Sequence, residues 1–230
     1  MKSYNSSSNY QPSEFIPPRI GQVCLSKIAY RTYKVIAEII NDNERVGLFN
    51  LRVRTLAIDR NDSIVGSSPL GMFPFFSSYR YSHIFCLPPK EKYIYVNYLL
   101  ARKEVYTIRI VYPPLRWRDF SRISIPKAAI SDDKLVNIKG KLKLLFNITN
   151  LSSQKKAFQI NIGFYDSTGK LIGGSVAYTN WLIKPNKPKS IVADVPLELP
   201  PNSTYIIQPY TSIRQWDDIF GRNSCIVKNP

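Results

Sequence analysis

Catalysis by an acid, base, nucleophile or metal needs particular side-chain types brought together, and this chain holds few of them. His83 is the one histidine, in SYRYSHIFCLPP. Cys24, Cys86 and Cys225 have no metal-ligand spacing and read as reduced, buried thiols. Asp132-Asp133 and Asp217-Asp218 are adjacent doublets. Neighbours on a strand point to opposite faces, so neither doublet makes a carboxylate pair. DRND at 59–62 looks like the start of a calcium loop, but no bidentate Glu follows at the required spacing, and it reads better as a hairpin turn. Phosphate-loop, nucleophile-elbow, zinc-protease and dinucleotide motifs do not occur. The expectation is a protein that is not an enzyme, with no catalytic residue, metal or cofactor.

Three surface features suit binding instead. Lys139, Lys141 and Lys143 alternate with Gly140, Leu142 and Leu144 in KGKLKLLF. On a strand such a row spaces charges by about 7 Å, close to phosphate spacing on a nucleic-acid strand. Lysines on an edge strand also block sheet-to-sheet aggregation, and that reading stands beside the first. Arg52 and Arg54 form a shorter row with the same two readings. The second feature, PLGMFPFFSSYRYSHIF at 69–85, holds Phe73, Phe75, Phe76, Tyr79 and Tyr81 without clean alternation. It is read as an apolar partner site, or as a lid on the end of its own domain. The third is LRWRDFSR, where Arg116 and Arg118 flank Trp117. It suits a wedge between domains, a protein interface, or base stacking with phosphate contact.

The bulk composition agrees with binding. Net charge is +16, divided equally between residues 1–120 and 121–230, so there is no basic tail. Such a field favours an anionic partner, nucleic acid or an acidic surface, and equally serves solubility. Tyr, Phe and β-branched residues abound, and 17 prolines against 10 glycines disfavour long helices. No apolar run approaches the ~20 residues of a membrane span. The start, MKSYNSSSNYQPSEFIPP, lacks the apolar segment of a signal peptide. A native start therefore points to a cytoplasmic or particle-associated protein, and a trimmed one to an envelope or extracellular protein.

The elements that must carry these features are written twice. Residues 36–66 align with 143–173 at an offset of 107, pairing Asn43 with Asn150, Asp59 with Asp166 and Gly66 with Gly173. LPPKEKYI at 87–94 and LPPNSTYI at 199–206 then superpose at an offset of 112, which makes the first copy five residues shorter before its octet. Such self-similarity marks a duplicated unit. Within a unit the signals are antiparallel β. FQINIGFY at 158–165 alternates, and DSTGKLIG after it is a turn with Gly169 placed for positive φ, matched by Asn61 and Asp62 in the first copy.

The stretch FNITN, AFQINIGFYDSTGKLIGG and LIKPNKPKSIVADVPLE resembles the FxLYD-type domains of bacteria and archaea, with Tyr165 and Asp166 carrying the likeness. The first copy departs from it with Ile58-Asp59. The resemblance implies an immunoglobulin-like fold and a non-catalytic module, and transfers no catalytic residue. The expected architecture is all-β: two tandem immunoglobulin-like antiparallel β-sandwiches with an extended N-terminal arm. The arm takes residues 1–19, the first sandwich 20–113, a linker 114–124 and the second sandwich 125–230. The expected function is a structural building block of a multi-subunit assembly (a surface layer, filament or particle shell), with protein subunits, including copies of itself, as partners. The alternative is a basic nucleic-acid-associated protein of a nucleoprotein or virion.

Overall fold

The computed structural model describes residues 15–49, 53–68, 86–112, 115–119, 127–179, 182–195 and 198–211. These hold fifteen β-strands and no helix, and every pairing between named strands is antiparallel. The first half carries β1 (Arg19–Ala29), β2 (Thr32–Ile40), β3 (Val46–Phe49), β4 (Arg54–Ile58), β5 (Ile64–Ser67), β6 (Cys86–Leu87), β7 (Lys92–Ala101), β8 (Thr107–Val111) and β9 (Arg116–Asp119). The second half carries β10 (Ala128–Ile138), β11 (Lys141–Asn150), β12 (Phe158–Tyr165), β13 (Leu171–Tyr178), β14 (Pro188–Asp194) and β15 (Thr204–Thr211).

The second half forms two three-stranded sheets, ordered β10-β11-β14 and β13-β12-β15. The first half repeats these orders as β1-β2-β7 and β5-β4-β8, joined into one six-stranded sheet by the pairs Gly66↔Ala101 and Ser67↔Leu100. It adds a small sheet, β6-β3-β9. Each half has its own apolar core. Tyr33, Val35, Ala37 and Ile39 of β2 enter the first, and Leu144, Phe146 and Ile148 of β11 enter the second, as period-two alternation directs.

The hairpin after β4 and β12 keeps the expected register. Asp59 and Asp166 each accept from the amides two and four residues on, and Asp62 (φ 57°) and Gly169 (φ 78°) take the left-handed position.

Two parts of the repeat register are overturned. The counterpart of Asn150 is Asn41, not Asn43. Each side chain accepts from the residue two on and donates to carbonyls of the connection that crosses to it, Leu87 and Pro88 for Asn41, Ile183 for Asn150. The two octets are not counterparts either. LPPKEKYI leads into β7, which pairs with β2; LPPNSTYI leads into β15, which pairs with β12. The strand in the position of β7 is β14, and the strand in the position of β15 is β8. The octets look alike because they build the same local turn. Lys90 and Asn202 sit at φ 59° and 60°, and the next amide bonds back to Pro88 or Pro200. Asn186 at φ 53° makes a third such turn. With Leu87 facing the slot of Ile183, the first half is 11 residues longer than the second after its Gly66/Gly173 position, not five shorter.

Two boundaries also shift. Residues 116–119 of the expected linker are β9, paired with β3, and Leu115 and Trp117 pack on the first core. The end of the expected arm is tied to the same half. Ile16 makes backbone bonds to both ends of the Asn43 amide, Pro18 is buried, and Phe15 stacks on Trp117 at 5.4 Å.

Candidate interaction surfaces

The two halves meet along a buried seam. β12 is buried on both faces. Phe158, Ile160, Ile162 and Phe164 fill the second core, while Gln159, Asn161, Gly163 and Tyr165 point the other way, toward the first half. From the first half, Ile36, Ile94 and Val96 pack with Tyr165 and Leu171 in a third apolar cluster. Gly174 is required here, because a Cβ on it would lie 2.8 Å from the Ile162 carbonyl oxygen and 2.9 Å from the Ile36 side chain.

Polar side chains complete the seam by standing in for strand partners. The Gln208 amide accepts from Ile94 N at 2.8 Å and donates to the Lys92 carbonyl at 2.6 Å. Gln22 does the same for Leu171 N and the Gly169 carbonyl, at 2.6 and 2.8 Å. Asn161 donates to the Ile94 carbonyl and to Tyr93 Oη. Cys24 is a free thiol, donating to the Ile172 carbonyl at 3.2 Å.

At the centre Glu38 accepts from Lys92 Nζ at 2.6 Å, Tyr165 Oη at 2.9 Å and Gln22 N at 3.1 Å. Burial pushes its carboxyl up, but these three donors outweigh burial and hold it below the usual range. Burial, then the Glu38 carboxylate, pushes the Tyr165 hydroxyl upward. Lys34, buried on the same face of β2, is shifted down by burial, with its ammonium 5.8 Å from the Tyr98 ring centre.

One end of the first half is as exposed as the seam is buried. The four most exposed large apolar side chains of the described residues are Tyr30 at 79%, Leu100 at 70%, Tyr106 at 68% and Ile64 at 61%. Backbone bonds bring their segments side by side: Ala101 N to the Arg31 carbonyl, Arg102 N to the Val65 carbonyl, and Tyr106 N to the Ile58 carbonyl. The Arg31 guanidinium lies over the Tyr30 ring at 4.9 Å, and that of Arg60 over the Tyr106 ring at 5.9 Å.

The structure separates the residues singled out from sequence. Lys139 is not on the strand: with Gly140 it forms the β10–β11 turn, at φ 52°. Lys141 is exposed on β11, and Lys143 is paired to Asp194 on the adjacent strand. β11 is the middle strand of its sheet, so edge protection does not explain these lysines. Arg54 is exposed and donates to Ser67 Oγ. Arg116 and Arg118 lie on β9, and Trp117 packs on the first core. Arg52, Phe73, Phe75, Phe76, Tyr79, Tyr81 and His83 lie outside the described residues.

The sequence reading missed both the seam and the exposed end. Polar Gln159 and Asn161 on a strand signal a solvated face, and only the first half packed over them reveals them as buried. Tyr30 and Ile64 lie far in sequence from Leu100 and Tyr106, and the four carry no motif. Among the described residues no three His, Cys, Asp or Glu side chains gather to hold a metal, and no helix is long and apolar enough to cross a membrane. No family model matches the chain, and no curated protein matches it.

Proposed function

We propose that the chain is a non-catalytic structural and interaction protein: two tandem immunoglobulin-like β-sandwiches locked into one block, serving as a subunit of a multi-subunit assembly. The sandwich reading is supported by the strand orders β10-β11-β14 and β13-β12-β15, with their counterparts in the first half, which suit a Greek-key sandwich. The likeness to FxLYD-type domains adds Tyr165 and Asp166 only, one a seam residue and the other a turn residue.

The seam carries the functional reading. Contacts between domains of one chain are by default modest, polar and mobile. Here β12 is buried on both faces, and seam amides satisfy main-chain groups of the opposite half. A chain that only tethers two recognition modules has no need of such a junction. A subunit that must hold a fixed shape among neighbours does.

Light scattering and negative-stain microscopy of the purified chain at rising concentration test this. The expected result is a defined oligomer or ordered assembly, weakened by a seam substitution such as Gly174→Val. A strict monomer at high concentration, over a range of salt and pH, would sink the assembly reading.

A further inference from the structure

We infer that the exposed end of the first half is a binding site for single-stranded nucleic acid, with Tyr30 and Tyr106 as stacking platforms. This inference stands on a different surface from the seam, so it holds whether or not the chain assembles.

The apolar side chains need a cover of some kind. Clustered large apolar groups at this exposure mark a contact surface, whereas single ones are unremarkable. Charge decides what covers them. Arg31 and Arg60 lie over the two rings, Arg102 and Lys103 follow Leu100 in the chain, and none of the four makes an ion pair with a described residue. Of the carboxylates in these segments, Asp62 is paired to Arg109 at 3.4 Å, while Asp59, which accepts only neutral amides, and Glu104 keep their charge, so the four cations outnumber them. A second copy that presented this same cation-rich end would be repelled from it, whatever its other surfaces do. The occupant is anionic.

The rings decide which anion. At 79% and 68% exposure most of each tyrosine ring faces solvent, with a guanidinium over it. Exposed rings beside unpaired cations are what an unpaired nucleotide strand uses, base on ring and phosphate on cation. Duplex bases are stacked on one another and cannot use the rings. Leu100 and Ile64 add exposed apolar surface on the adjacent strands β7 and β5.

The test is fluorescence anisotropy of a labelled oligothymidylate of about 20 nucleotides, and of a duplex of equal length, at several salt concentrations. Tyr30→Ala/Tyr106→Ala and Arg31→Ala/Arg60→Ala are compared with the unaltered chain. All four residues are exposed, and thermal melting checks that folding is unchanged. The expected result is preference for the single strand, and an affinity loss of about tenfold or more on removing both rings, with the salt slope kept. The arginine pair should instead flatten the salt slope by about 1.4. No binding at low salt would overturn the inference. So would binding that ignores the ring substitutions or treats duplex and single strand alike, since charge alone would then explain it. If the oligonucleotide does not bind but the ring variants change the scattering of the assembly, the end is a protein contact: the inference fails while the assembly reading survives.

Discussion

The Tyr165 hydroxyl donates to the Glu38 carboxylate at 2.9 Å, joining residues 127 apart in the chain. Both are buried, and the bond crosses from one half of the molecule to the other. A buried carboxylate that loses a donor keeps its desolvation cost, so Tyr165→Phe should lower unfolding stability by about 1–3 kcal/mol. Glu38→Ala should cost more, since it strips the partner from Lys92 as well as from Tyr165. Urea unfolding of the two variants checks the order. Equal stability of Tyr165→Phe and the unaltered chain would show that the seam does not depend on this bond.

The same carboxylate sets a pH dependence. Glu38 is held below its usual range when folded and returns to that range when the seam opens. Between the two values the unfolded chain binds the extra proton, so stability rises with pH through that window. The contribution is complete above the ordinary glutamate value, about 4.3, and is lost as pH falls through the lowered folded value. Glu38→Gln removes this titration. The stability gap between the unaltered chain and Glu38→Gln should therefore shrink on acidification below about pH 4.3, as read by thermal melts at stepped pH. A gap that stays constant would mean Glu38 titrates alike in both states.

Gly174 tests the packing of the seam in isolation from its charges. An added methyl meets a carbonyl oxygen on one side and Ile36 on the other, both inside 3 Å. Gly174→Ala should cost about 1–3 kcal/mol by overpacking. Pairing it with Ile36→Ala should recover part of that loss, because alanine removes both γ carbons of Ile36 that the methyl meets. Chemical unfolding of the single and double variants reads the coupling, and simple additivity would place the clash elsewhere.

Local chemistry was legible in the sequence, and placement was not. Alternation in FQINIGFY gave β12 and its inward face, and DSTG gave the hairpin with Gly169 at positive φ. What misled was turn chemistry mistaken for position. A Pro-containing turn with Lys90 or Asn202 in the left-handed region writes nearly the same octet wherever a strand must start. Pairing depends on partners distant in sequence, so β7 and β15 could not be told apart by their leading turns. The lysines of 139–143 failed likewise: the 2-residue period was real from Lys141, but Lys139 belongs to the turn and Asp194 covers Lys143. The seam was unreadable because polar residues on a strand face look the same whether water or another domain lies above them.

Asn41 and Asn150 show where the repeat is physical. Each buried amide joins the end of its half's second strand to a crossing connection, through carbonyls of Val46, Leu87 and Pro88 in one half and of Gln154 and Ile183 in the other. Alanine at Asn41 takes a donor from the Val46, Leu87 and Pro88 carbonyls, of which Pro88 keeps Glu91 N, whereas at Asn150 the Ile183 and Gln154 carbonyls keep Lys156 N and Ser152 Oγ. Each loss should be about 1–3 kcal/mol, the larger at Asn41. Asn43→Ala frees the amide and carbonyl of Ile16 in the arm instead, and Ile16 is exposed, so its loss should be smaller. Hydrogen exchange distinguishes the sites. Asn41→Ala should lower protection in the first half, chiefly at Asn43 and around β6, and Asn150→Ala should do so in the second, chiefly at Ser152 and around Ile183. An Asn43→Ala variant less stable than Asn41→Ala would restore the register in which Asn43 faces Asn150.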